Sequence, residues 1–195
     1  MSKGEEPLTF GTDSFAHVLI GDVVTAFNEL SESDTPTRRR SAVRATFAAI
    51  EGLLSMVKVG MGVLTLSPSE ISIVREEAYE VSDSGAIRVR ARAVPFSRNL
   101  KAIVRIIKRL RPHYALDFNH PGWHALTRTL EVRHRLTHPK GLGDLEVSSR
   151  ELSDAQRGFN WFLAFAIEVM SETNESAKNR VAALRRAMKT VRSEG

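Results

Sequence analysis

A regular apolar seam is the feature that most limits what this chain can fold into. Its members are separated by alternating steps of four and three residues: Val43, Phe47, Ile50, Leu54, Val57, Met61 and Leu64. This spacing keeps the apolar side chains on one side of a long helix, which must then pack along another helix. The second helix can belong to the same chain, as in the core of a bundle, or to a second subunit.

Start and stop signals predict further helices around this seam. A first helix is expected over residues 13–30, and Pro36 fits the first turn of the seam helix. Residues 67–70 have the form of a capping box and predict a third helix to about Glu80. Pro121 fits the first turn of a later helix, with Asn119 or His120 as its cap. The chain is therefore predicted to be all-α.

One segment departs from helical spacing. Residues 87–94 alternate apolar and basic side chains, which is the period of a strand and places Arg88, Arg90 and Arg92 on one side. No second segment is a convincing partner strand. The pattern therefore predicts an extended arm or a short edge segment, which either touches nucleic-acid phosphates or is a solvated connector.

Composition indicates a globular protein without export or membrane signals. The chain has 195 residues, of which 42% are hydrophobic and 26% charged, and this is ordinary for one domain with a sizeable core. Its Cys count of 0 excludes disulfides, thiol catalysis and thiolate zinc sites. No apolar run approaches the roughly 20 residues that span a bilayer, so we expect no membrane association and a cytoplasmic location.

A net charge of +5 favours polyanionic partners, and one predicted helix places part of that charge on a single face. Lys101, Arg105 and Lys108 recur at helical spacing after Ser97, which can cap this helix, and an apolar stripe lies opposite them. The basic face is either a solvated surface or a surface that follows RNA. Residues 159–170 are rich in aromatic side chains, which form either core or a platform for stacking bases.

The segment 133–140 carries the strongest functional signal. It reads Arg-His-Arg-Leu-Thr-His-Pro-Lys, and Pro139 predicts that the helix ends near His138. A guanidinium can hold a phosphodiester while an imidazole moves protons on it. Five positions at about 100° each place Arg133 and His138 roughly 140° apart around the helix. Arg133 must therefore reach toward His138, or a second chain must complete the site.

At these residues the chain resembles the HEPN superfamily, whose signature is an arginine followed by a histidine after four to six positions. The match consists of Arg133, His134 and His138, followed by Pro139-Lys140. Trp123 and Leu126 upstream and the aromatic-rich helix downstream add to the resemblance, which covers roughly residues 13–171. It implies an all-α, HEPN-like bundle with long antiparallel helices and an additional C-terminal helix. On this reading residues 1–12 are a flexible N-terminus and residues 172–195 a helical extension.

The resemblance also implies a homodimer in which two motifs face each other and act as a metal-independent endoribonuclease. The RNA 2′-hydroxyl would attack the adjacent phosphorus, with His138 as acid or base, Arg133 stabilising charge and His134 orienting or assisting. Such proteins act as toxins or in phage defence, and a nucleotidyltransferase-like antitoxin is a plausible partner. No metal or cofactor is expected. The residues expected to contact RNA are Arg128, Arg135, Lys140, Lys101, Arg105 and Lys108.

The alternative is a non-catalytic HEPN-like dimer that binds RNA, nucleotides or protein. Arg133 and His138 would then form a structural hydrogen-bond network at the dimer interface. Residues His113, His120 and His124 do not have the regular spacing or the neighbouring carboxylates of a metal site.

Overall fold

Helices form most of the chain. The structure is a computed structural model that describes residues 14–62 and 64–193, and the side chains of residues 14–62, 64–175 and 178. Its elements in order are α1 (Phe15–Glu32), α2 (Pro36–Met61), α3 (Pro68–Arg75), β1 (Glu77–Val81), β2 (Ile87–Ala91), α4 (Phe96–Leu110), α5 (Pro121–Thr137), a short 3-10 helix (Leu142–Leu145) and α6 (Ser149–Ser193). The all-α prediction is confirmed, with one two-stranded hairpin in the part described.

Several predicted helix starts agree with the caps in the structure. Ser67 and Glu70 form the reciprocal capping box at α3, and His120 caps α5 by accepting a hydrogen bond from the Gly122 amide. Ser97 was expected to cap α4, but this prediction is wrong, because α4 begins at Phe96 and its cap position makes no side-chain hydrogen bond. Residue 13, the predicted start of the first helix, lies outside the described residues, and Ser14 caps α1.

The predicted extension of α3 to Glu80 is wrong, because the helix ends at Arg75. Glu76 follows with a φ of 54°, a left-handed conformation that turns the chain out of the helix. The carboxylate of Glu76 accepts hydrogen bonds from Lys58 and Asn99, which hold this residue in place. The chain then continues as β1.

The strand β1 is the partner that sequence reasoning failed to find for residues 87–91. The two strands run antiparallel, with Tyr79 opposite Val89 and Val81 opposite Ile87. Such β-branched and aromatic cross-strand pairs favour a hairpin. Residues 82–86 form its turn.

The described chain divides into two compact units, whose boundaries fall inside α2, in the loop between α4 and α5, and inside α6. The first unit comprises the described residues up to Leu54 together with Asp117–Ile167, and the second comprises Ser55–Leu116 together with the described residues from Glu168.

Six of the seven seam residues are buried in this single chain, which assigns the seam to core packing. Leu64 lies beyond the end of α2. The core of the first unit includes Phe47, Ile50, Leu126, Val132, Phe159, Phe162 and Phe165.

The helix α6 runs without interruption from Ser149 to Ser193. The polar residues 171–176 do not interrupt it. Polar side chains favour helix ends, but this segment contains neither Gly nor Pro to force one, and the Thr173 hydroxyl donates to the Val169 carbonyl at 2.7 Å within the helix. The predicted domain boundary after residue 171 is not tested by this continuity. The boundary after residue 12 lies outside the described residues.

Candidate functional site

The motif lies at the C-terminal end of α5, as the sequence predicted. The last helical residue is Thr137, and the His138 amide donates to the His134 carbonyl at 3.0 Å to close the final turn. Pro139 cannot continue this pattern. The side chains of His138, Pro139 and Lys140 are exposed at this end of the helix.

The two motif histidines are the residues that the fold brings together. His134 and His138 are both exposed, and their ring centroids lie 5.4 Å apart with an interplanar angle of 59°. Residues four apart share one side of a helix, which accounts for this pairing. Two adjacent exposed imidazoles can exchange protons with a ligand without any rearrangement of the backbone.

Arg133 makes a contact that the sequence did not reveal. Its guanidinium donates to Glu51 Oε1 of α2 at 2.7 Å, and the two side chains remain 41% and 50% exposed. Glu51 is the only acidic residue of α2, which is the one signal in the sequence that could have identified it. Because an exposed ion pair contributes at most ~1 kcal/mol, a phosphate can compete with Glu51 for this guanidinium.

Two further arginines of α5 are held by groups in the first turns of α6 and by the backbone just before it. Arg128 donates to both carboxylate oxygens of Asp154 at 2.8 and 2.7 Å, and these hydrogen bonds lower the pKa of Asp154. Arg135 donates to the Glu146 carbonyl at 2.5 Å and to Glu151 Oε1 at 2.9 Å. These contacts line a cleft of about 380 Å³. Both guanidiniums are therefore held by protein groups, and their predicted contact with RNA stays a prediction.

The loop after the motif is ordered by a hydrogen bond to its backbone. The Lys140 amide donates to Asp144 Oδ2 at 2.7 Å, and residues 142–145 form a 3-10 helix. The Lys140 side chain is exposed. It lies two residues beyond His138, where an added positive charge favours an anionic ligand.

The predicted basic face of α4 is present in the second unit. Lys101, Arg105 and Lys108 are exposed, while the opposite stripe, formed by Leu100, Ile103, Val104 and Ile107, is buried. The amphipathic character of this helix is therefore confirmed. Its role in RNA binding stays a prediction.

Comparison with known proteins adds nothing to the evidence from the residues of this chain. No family model, curated protein or solved structure matches the chain. None of the helices in the described part combines the length and apolar character needed to cross a membrane. Among the described residues there is also no group of three or more His, Asp or Glu side chains placed to share a metal ion.

Proposed function

We propose that this protein is a metal-independent endoribonuclease whose reactive groups are presented at the C-terminal end of α5. The observation that carries the proposal is the exposed pair of imidazoles, His134 and His138, with Arg133 in the same turn of the helix. Imidazoles transfer protons near neutral pH, and a guanidinium stabilises the charge on a pentacoordinate phosphorus.

In the proposed reaction the RNA 2′-oxygen attacks the adjacent phosphorus and the bond from phosphorus to the 5′-oxygen breaks. One imidazole accepts the proton of the 2′-hydroxyl, and another group donates a proton to the leaving 5′-oxygen. The products are a 2′,3′-cyclic phosphate and a 5′-hydroxyl. His138 acts as the acid or base, and His134, whose ring centroid is 5.4 Å away, orients or assists it.

The proposal includes a homodimer. In each chain the Arg133 guanidinium donates to Glu51, while His134 and His138 lie against each other. Once an RNA phosphate has displaced Glu51, Arg133 of a second copy can serve the histidines of the first, and a twofold axis then creates two equivalent arrangements. The RNA-degrading activity would be that of a toxin or a phage-defence effector in the cytoplasm.

A second function is favoured by one observation. The ion pair between Arg133 and Glu51 joins α5 to α2, so Arg133 can have a structural rather than a catalytic role. The protein would then be a non-catalytic dimer that binds RNA, a nucleotide or another protein. Under this alternative Arg133→Ala weakens the dimer, and the wild-type protein cleaves no RNA.

The test compares cleavage of single-stranded RNA by wild type, His138→Ala and His124→Ala. His124 is an exposed histidine of the same helix and serves as the matched control. Loss of a general acid or base should lower kcat by about 100-fold or more in His138→Ala, and the control should match wild type. Full cleavage by His138→Ala at equal dimer content would contradict the proposal.

A further inference from the structure

The exposed face of α6 near the start of α5 forms a second candidate site. An open groove of about 560 Å³ is lined by His120 and by Gln156, Arg157, Asn160 and Trp161 of α6. The four α6 residues recur at steps of one and three residues, so they form one stripe along the helix. All of these residues lie in the first unit, together with the motif.

Trp161 packs against the first turn of α5 and against two aromatic rings. A Cβ atom on Gly122 would lie 2.3 Å from Trp161 Cβ, so the tryptophan sits directly on the first turn of α5 where no side chain intervenes. Its ring centroid lies 5.6 Å from that of Trp123 and 6.3 Å from that of Phe118. The indole is only partly buried by these contacts. A preorganised aromatic side chain of this kind loses little conformational entropy when a ligand binds.

The polar groups around Trp161 suit a nucleobase and its phosphate. Gln156 and Asn160 each offer an amide with donors and an acceptor, and both are exposed. Arg157 is exposed and forms no hydrogen bond or salt bridge with a described residue, although its charge interacts with that of Asp154, three residues earlier. The Nδ1 atom of His120 accepts from the Gly122 amide, which leaves Nε2–H of the neutral ring as a donor.

The charge of this surface selects the ligand class. Between Asp154 and Glu168, helix α6 contains no acidic residue. The charge of Asp154 interacts with that of Arg157, but Asp154 is itself paired with Arg128, so Arg157 leaves the stripe with a net positive charge. A partner helix would need apolar pockets at helical spacing, whereas this groove has polar side chains around one aromatic ring. Unpaired bases, in contrast, are bound by stacking on aromatic side chains while amides and arginine contact base edges and phosphate.

We propose that this groove binds an unpaired nucleotide of single-stranded RNA. This proposal rests on the proposed function, which makes RNA the ligand, and it adds that the RNA substrate is single-stranded. The groove and the motif lie at opposite ends of α5, about 25 Å apart along the helix axis at 1.5 Å per residue. The groove therefore binds RNA several nucleotides from the scissile phosphate, and its loss should raise KM without changing kcat.

The experiment measures binding of a short fluorescent single-stranded RNA by anisotropy, using full-length protein with His138→Ala so that the RNA stays intact. Arg157→Gln and the double variant Gln156→Ala/Asn160→Ala change only exposed side chains. Arg75→Gln, an exposed arginine of α3 in the second unit, is the matched charge control. Trp161→Ala removes the stacking ring and Trp161→Phe retains one.

Loss of a stacked base should weaken binding by roughly 5- to 100-fold in Trp161→Ala, with Trp161→Phe restoring much of the affinity. Arg157→Gln should bind more weakly and reduce the slope of log affinity against log salt by about 0.7, the value for one phosphate contact on a single strand. Arg75→Gln should match its parent. Duplex RNA of the same sequence should bind equally to Trp161→Ala, Gln156→Ala/Asn160→Ala and their parent, because its paired bases cannot enter the groove.

Unchanged binding of single-stranded RNA in both Arg157→Gln and Gln156→Ala/Asn160→Ala would overturn the proposal, even if Trp161→Ala fails to fold. The cleavage assay separates the two proposals. Cleavage by wild type with undiminished RNA binding by the groove variants refutes the groove and retains the nuclease. Weakened binding by the groove variants without cleavage by wild type supports the groove and refutes the nuclease.

Discussion

At the scale of single residues, the contact between Arg133 and Glu51 decides how the motif can be used. The sequence placed Arg133 beside the histidines, but the only sign of its partner, 82 positions away, was that Glu51 is the one acidic residue of α2. Such a pair keeps the arginine extended toward α2 and near the surface. An RNA phosphate must therefore compete with Glu51 before Arg133 can stabilise a transition state.

Replacement of Glu51 with glutamine should make that competition easier. We expect Glu51→Gln to raise kcat/KM for RNA by up to about five-fold, which corresponds to the ~1 kcal/mol that an exposed ion pair contributes. Steady-state cleavage assays at low ionic strength measure this effect, and high salt should reduce it. A lower kcat/KM together with a weakened dimer would instead assign the pair a structural role.

Tyr114 presents a second test at this scale. Its hydroxyl is buried and has no hydrogen-bond partner among the described residues, and burial, together with the charges of Glu168 and Glu172, raises its pKa. Removing an unsatisfied buried hydroxyl relieves a desolvation cost, so Tyr114→Phe should raise the free energy of unfolding by about 1 kcal/mol. Urea denaturation measures the change. A decrease would show that the hydroxyl has a partner.

At the scale of elements, the approach of α5 and α6 in the first unit depends on Gly158. A Cβ atom at this position would lie 2.8 Å from the Leu126 Cα atom and 2.9 Å from its nitrogen, and a backbone cannot move aside as a flexible side chain can. This close approach sets the distance between the motif helix and the helix that carries Asp154 and Glu151. It therefore supports the positions of Arg128 and Arg135.

Alanine substitution at two glycines tests this packing, because the two changes in the free energy of unfolding should have opposite signs. Gly158→Ala should lower the free energy of unfolding by about 1–3 kcal/mol, because the clash exceeds the gain in helix propensity. Gly21→Ala in α1 has no described atom within 4 Å of its added Cβ, so it should raise that free energy by up to ~1 kcal/mol. Thermal and urea unfolding measure both. Equal effects of the two substitutions would contradict the close approach.

The pairing of α3 with α4 in the second unit should be sensitive to acid. Arg109 donates to both carboxylate oxygens of Glu70 at 2.6 Å, and these bonds, with the hydrogen bond from the Ser67 amide, lower the pKa of Glu70 from 4.5 to about 2. Because the folded-state pKa is depressed, the stabilisation is complete above pH 4.5 and is lost as the pH falls toward 2.

Glu70→Gln isolates this contribution. Wild type should be more stable than Glu70→Gln at neutral pH, and the difference should shrink through the interval from pH 4.5 to pH 2. Circular dichroism melts across this range measure it. A difference that is independent of pH would refute the assigned role of the carboxylate.

Elements also show what the sequence could and could not predict. The capping box at Ser67, the His120 cap and the end of α5 near His138 follow from local chemistry, so they were predicted correctly. The strand β1 was missed because Glu77–Val81 continues directly from a helix and its pairing with Ile87–Ala91 is visible only once Glu76 turns the chain. Glu51, Asp154 and Glu151 were missed because each contact joins separate helices.

At the scale of the whole molecule, the proposed site is shared between two copies of the chain. We expect Arg133→Ala and His138→Ala each to be inactive alone, and a mixture allowed to exchange subunits to recover activity. If each site uses Arg133 of one chain and His138 of the other, random exchange should restore about a quarter of wild-type activity. If subunit exchange is verified and the mixture is no more active than the two variants assayed separately, a site shared in this way is excluded.

The activity proposed for the end of α5 is cleavage of RNA by attack of the RNA 2′-hydroxyl, without a metal ion. Its most direct test incubates wild type and the double variant Arg133→Ala/His138→Ala with mixed RNA in EDTA and identifies the new ends by mass spectrometry. The account predicts 2′,3′-cyclic phosphate and 5′-hydroxyl ends from wild type and none from the double variant. New 5′-phosphate ends, equal cleavage by the two proteins, or intact RNA in the presence of folded wild-type dimer would contradict it.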